Sequence, residues 1–153
     1  AYSNFGYNLL GRVIEKISGE TYERYMQKTI FEPLGIKRMK ISSSIEQAPG
    51  EVKYYDENQV VGLAVVGEPL GRRVPVTEGT WYQESLDAHG GWISSAIDLV
   101  RVASALDFDP KPLMSVESKE AMFSPPPGSP GHDDEGKPKE TFYALGWYVR
   151  LLG

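Results

Sequence analysis

Tyr2-Ser3-Asn4-Phe5-Gly6-Tyr7-Asn8-Leu9-Leu10-Gly11, continued by Arg12-Val13-Ile14-Glu15-Lys16-Ile17, is the stretch from which the rest of the chain is read. Phe5, Leu9, Leu10, Val13, Ile14 and Ile17 recur at helical spacing and make one apolar stripe. Ser3 or Asn4 is suited to cap the start of this helix, and Gly19 stands where a left-handed terminating glycine belongs. Tyr2 and Asn4 flank the helix entrance, where a phenol and a carboxamide can project into one pocket. A phenol can carry a proton between an attacking hydroxyl and a leaving group. A carboxamide offers a substrate amide one acceptor and two donors.

A second helix is expected from Thr21, with Tyr22, Tyr25, Met26 and Ile30 as its buried face and Pro33-Leu34-Gly35 as its end. Residues 1–36 therefore read as a helical hairpin. Residues 37–89 read as irregular loops with short strands at 51–55 and 60–66. Tyr54, Tyr55, Trp81 and Tyr82 bring aromatic mass to this region, as core packing, a loop clasp or a pocket wall. Residues 90–123 read as helices. Ser95 and Asp98 have capping-box spacing before a helix expected to bury Ile97, Val100 and Ala103 or Ser104, with Leu99 and Leu106. Ser115 is placed to cap a further helix through Phe123. The Pro, Gly and charge content of residues 124–140 predicts a mobile loop. Residues 141–153 predict a largely buried strand, in which the segment from Phe142 to Leu152 could pair with a second copy through its edge.

A chain of 153 residues with a formal net charge of −5 offers no clustered basic surface, which argues against a nucleic-acid partner. No cysteine is present, so disulfides, thiol catalysis and cysteine–metal sites are excluded. His132-Asp133-Asp134-Glu135 is one histidine among loop carboxylates and reads as a solvated charge run rather than a metal site. No cofactor is expected. No apolar run reaches membrane-spanning length. The chain opens on Ala1 and its motif begins at the second residue, from which it reads as a piece of a longer protein.

Four blocks together resemble one family. They are the Tyr2–Gly11 run quoted above, Ile30-Phe31-Glu32-Pro33-Leu34-Gly35-Ile36, Gly90-Gly91-Trp92-Ile93-Ser94-Ser95-Ala96-Ile97-Asp98-Leu99, and Tyr143-Ala144-Leu145-Gly146-Trp147. In order and rough spacing they are similar to the serine β-lactamase and penicillin-binding superfamily, in its branch of class C β-lactamases, D,D-peptidases and esterases. The resemblance implies an α+β fold. This chain would contribute mainly the helical subdomain, irregular loops and one or a few strands of the antiparallel sheet. It also implies acyl transfer through a seryl-enzyme intermediate, on β-lactam, peptide or ester substrates. Tyr2 matches the proton-relay position of the family and Asn4 the substrate-amide position. Trp81 and Tyr82 would serve substrate selectivity. A periplasmic or extracellular setting is compatible with the resemblance, although no signal sequence is visible.

The chain departs from the family pattern at its reactive centre. No serine has a lysine three residues on, and Lys28-Thr29 is followed by Ile30 instead of Gly. His89-Gly90-Gly91 spells His-x-Gly, but it precedes a helix cap where the family has a strand. One wall of an active site is thus legible here and its nucleophile is not, so the isolated chain is expected to turn over nothing. A non-catalytic binding or scaffold domain on the same fold is the alternative reading.

Overall fold

The computed structural model describes residues 2–107 and 113–151, which fall into two compact units, one of residues 2–102 and one of the described residues from 103 onward. In the first unit, α1 (Asn4–Ser18) starts at Ser3, whose backbone is extended and whose hydroxyl accepts the Gly6 N–H at 3.0 Å. It stops at Gly19 (φ 73°), a left-handed conformation that costs other residues a Cβ clash. α2 (Tyr22–Met26) is capped by Thr21, which accepts the Arg24 N–H at 3.3 Å.

The second helix does not run on unbroken. It widens into a π turn at Gln27–Phe31 and tightens into a 3-10 turn at Glu32–Leu34 before Gly35 ends it. The additional residue in the wide turn rotates every later side chain around the axis. Phe31, absent from the expected buried face, is therefore the inward residue at 4% exposure. Ile30 and the other expected residues are only half-buried. Phe31, Ile36 and Met39 form the core, with Met26, Leu34, Trp92 and Val102 packed around them. The Phe31 ring meets Trp92 edge-on, 4.9 Å between centroids at 82°.

The apolar stripe of α1 faces outward among the described residues: Phe5 is 77% and Ile17 81% exposed. The helix is seated instead by a neighbouring face carrying Asn8, Gly11, Arg12 and Glu15. α3 (Ala96–Asp107) shows the same inversion. Ile97, Leu99 and Val100 are exposed, whereas Asp98, Val102 and Ala105 face inward. The cap explains this register. Asp98 accepts from the Ser95 hydroxyl and its own N–H reaches Ser95 Oγ at 3.1 Å, which holds that side of the helix against the chain preceding it.

Among the described residues there are three antiparallel two-stranded pairs. β1 (Lys40–Ile41) pairs with β4 (Trp92–Ile93), and β2 (Val61–Leu63) pairs with β3 (Arg73–Pro75) with Val61 opposite Pro75. The expected strand at 51–55 is absent, because Glu51 folds back to accept the Ala48 N–H and the Tyr54 hydroxyl, each at 2.7 Å. The 60–66 strand is shorter than expected, and its partner β3 lay hidden behind the charges of Arg72-Arg73.

In the second unit, α4 (Val116–Phe123) starts at Ser115, as its spacing suggested. The C-terminal segment is a hairpin rather than one strand: β5 (Thr141–Tyr143) turns at Gly146 (φ 83°) into β6 (Tyr148–Arg150), with Phe142 opposite Val149. β5 and β6 thus pair with each other along their inner sides. Phe142 and Ala144 are buried, and Trp147 packs on Phe123 at 5.4 Å. Residues 124–140 form successive turns, where Asp133 Oδ1 accepts the N–H groups of Glu135 and Lys137. Among the described residues, no helix is long and apolar enough to cross a membrane.

Candidate active site

Tyr2 and Asn4 stand at the entrance of α1, with Ser3 between them committed to the cap. Tyr2 is 58% exposed and its ring lies 6.1 Å from that of Tyr7, one turn along. Asn4 is exposed as the first helical residue. The helix carrying them is fastened to the segment 83–91 at several points along one face. Asn8 Nδ2 donates to the Ser85 carbonyl at 3.0 Å, and Arg12 forms an ion pair with Asp87. Gly11 lies so near Ala88 that a Cβ on it would fall 2.7 Å from the alanine methyl. One turn further, Glu15 accepts the Tyr22 N–H at 2.9 Å and joins α1 to α2.

The clamped segment is itself tightly wound. A short 3-10 turn at Gln83–Leu86 leads to Gly90 and Gly91, whose N–H groups both donate to the Leu86 carbonyl, at 2.9 and 3.0 Å. A Cβ on Gly91 would meet the Gln83 carbonyl oxygen at 3.0 Å and the Asp87 nitrogen at 3.1 Å, so a side chain there would press on the backbone of the 83–87 turn. On the other side, Ser42 N–H donates to the Gly91 carbonyl at 2.7 Å. Ser44, buried at 7% exposure, donates its hydroxyl to Glu84 and accepts the Gln83 N–H at 2.8 Å. Its own N–H donates to Glu84 at 3.0 Å. Burial alone would push the Glu84 carboxyl up. The Ser44 hydroxyl and N–H, with smaller help from its own backbone and from Ser43, outweigh that and hold it below the ordinary value. Burial raises the Tyr22 phenol, against an opposing side-chain contact with Trp92.

Between these loops lies a cavity of about 830 Å³, bordered by Ser42 to Gln47, the Tyr54-Tyr55 pair, Trp81, and Gly90 to Ile93. Of the four aromatic residues singled out in the sequence, Tyr54, Tyr55 and Trp81 line it. Tyr82 does not, its ring being turned outward while its carbonyl accepts from Ser85. Tyr2 and Asn4 are likewise outside the lining. Among the described residues, no group of three or more His, Asp or Glu side chains is placed to hold a metal ion. The fastening residues Asn8, Arg12, Ser44 and Glu84 were missed by sequence reasoning. For Asn8 and Arg12 a signal existed, since they share a helical face with Gly11. For Ser44 and Glu84, forty residues apart, none did.

A family model described as Beta-lactamase matches residues 1–153. The chain belongs to that family. Among its relatives, Penicillin-binding protein 4* of Bacillus subtilis (strain 168) is 31% identical over 124 residues, which cover 81% of this chain and 27% of that protein. A D-amino acid amidase from Ochrobactrum anthropi SV3, solved with L-phenylalanine amide, superposes with a TM-score of 0.62 at 25% identity, over 100% of this chain and 40% of that one. A penicillin-binding protein from Bacillus halodurans shares the fold, with a TM-score of 0.59 at 17% identity over 99% of this chain and 40% of its own. The chain thus spans well under half the length of these β-lactamase-family relatives. Its helices and short antiparallel strands make an α+β portion of their fold.

Proposed function

We propose that this chain supplies one wall of the active site of a serine hydrolase that works by acyl transfer. Tyr2 is the proton carrier and Asn4 the contact to the substrate amide. The supporting observation is the placement of Tyr2-Ser3-Asn4 at a capped helix entrance in a chain that matches the β-lactamase family from end to end. Ser3 commits its hydroxyl to the cap, and the phenol and carboxamide flank it at the helix entrance. Asn8, Gly11 and Arg12 then hold that entrance at a defined place against the 83–91 segment, as catalytic geometry demands.

In the complete protein the nucleophilic serine and its lysine come from other polypeptide, since no serine here has a lysine three residues on. As the serine oxygen attacks the substrate carbonyl, its proton is taken up by the lysine and Tyr2; the bond to the leaving nitrogen or oxygen then breaks, and Tyr2 passes that proton to the leaving atom. Water then cleaves the acyl-serine ester. An amide substrate is favoured over an ester by the likeness to an amidase. Trp81 contacts the substrate from the cavity, and Tyr82 supports the same loop. The exposed stripe of α1 is a surface that the remainder of such a domain covers.

The test is Tyr2→Phe in the complete protein, read as the rate of acylation by a labelled penicillin and a labelled aromatic amino-acid amide. A fall of about a hundredfold or more with unchanged circular dichroism is expected. Unchanged acylation refutes the role. The isolated chain should show no turnover of a nitrophenyl ester above buffer.

A further inference from the structure

The cavity carries a pattern of charge and aromatic surface that the proton relay does not use. At about 830 Å³ it is large enough for a small organic molecule or a substrate side chain. Aromatic surface reaches it from Trp81, Tyr54, Tyr55 and Trp92, and Trp81 is 61% exposed, so its ring is open to a partner. The charged residues at its border are Glu46, Glu51 and Glu78, against Lys53 alone. Glu51 is occupied by its bonds from Tyr54 and Ala48. The carboxylates of Glu46 and Glu78 accept no hydrogen bond and join no ion pair among the described residues.

We propose that this cavity binds an aromatic ring that bears an ammonium group. The ring replaces water on the indole and phenol faces, which is the larger, charge-independent part of the interaction. The ammonium gains twice, from the negative faces of the aromatic rings and from the surplus of carboxylate over lysine at the border. A carboxylate at the same place on the ligand meets that surplus as repulsion. The inference rests on the reading of Trp81 as a substrate contact, and narrows the substrate to aromatic amides or esters with a free amine.

Three probes of nearly one shape and no scissile bond test it: phenylethylammonium, phenylethanol and phenylpropanoate, titrated calorimetrically into the complete protein. The ammonium should bind about three- to tenfold more tightly than the alcohol, with the propanoate weakest. Trp81→Leu should weaken all three. Glu46→Gln with Glu78→Gln should bring the ammonium to within about twofold of the alcohol, and high salt should shrink the same preference. Equal binding of the three probes, tightest binding of the propanoate, or a series unmoved by the double glutamine variant would each overturn the proposal. Tyr2→Phe should leave the series as it is. Failure of the proton relay would appear in the acylation rate alone, and failure of the charge preference in the probe series alone.

Discussion

Alanine at Gly11 and alanine at Gly6 should move the stability of the same helix in opposite directions. Both glycines lie within α1, and in an open helix Gly→Ala stabilises by about 1 kcal/mol. At Gly6 the new methyl would meet Ser3 Cβ at 3.4 Å and Ser3 Oγ at 3.5 Å, ordinary contact distances, so up to that gain should be realised. At Gly11 the methyl would land 2.7 Å from Ala88 Cβ, when carbon pairs prefer about 3.5–4.0 Å. Relief demands a shift of roughly 1 Å between α1 and the 83–91 segment, against the hold of Asn8 on Ser85 and Arg12 on Asp87. Overpacking of this kind costs about 1–3 kcal/mol, so the net loss is about 0–2 kcal/mol. With a urea slope of about 1–3 kcal/mol per molar, each kcal/mol moves the midpoint by about 0.3–1 M. Gly11→Ala combined with Ala88→Gly removes the clash and should recover at least 1 kcal/mol of coupling, approximately the overpacking term. If Gly11→Ala proves as stabilising as Gly6→Ala, or if the double variant recovers nothing, the clamp between α1 and the loop is not as described.

Two further variants probe the packing and electrostatics of the first unit. Phe31→Ala should cost about 3–5 kcal/mol in urea unfolding, because the ring is 4% exposed and wedged edge-on against Trp92; a loss under 1 kcal/mol would place the core elsewhere. Ser44→Ala should cost about 1–3 kcal/mol by stranding the Gln83 N–H and removing a donor from Glu84. The same variant should flatten the acid limb of the stability profile. The folded carboxyl of Glu84 lies below its unfolded value of about 4.3, so the unfolded state binds more protons in that window. The contribution is therefore present above the unfolded value and lost as pH falls through the folded one; an acid limb identical to that of the parent chain would disprove it.

Helix existence was legible because local chemistry decides it. Ser3, Thr21 and Ser115 each cap the helix their spacing announced, and Gly19 ends α1 as its position suggested. The hairpin turn at Gly146 was a comparable local signal, yet the aromatic run around it read as one strand. Which face of a helix is buried was less legible. The stripe of α1 and the Ile97–Val100 side of α3 are apolar and exposed, while Gly11 and Asp98 are buried. Apolar periodicity reports what a helix could bury, and the neighbour actually present decides what it does bury. The π turn at Gln27–Phe31 left no mark in the pattern and reversed the assignment of the second helix's core residue.

For the candidate site, the sequence alone determined the types of group and their order: a phenol and a carboxamide at a helix entrance, a Gly-Gly turn, a capped helix. Those depend on contacts within a few residues, which spacing encodes. Only the tertiary structure decided that Asn8, Gly11 and Arg12 clamp that entrance to the 83–91 segment, that Ser44 reaches Glu84, and that Trp81 rather than Tyr82 borders the cavity. These pairings join residues about forty or more positions apart. Their closeness depends on the path of every loop between them, which no local pattern of residues records.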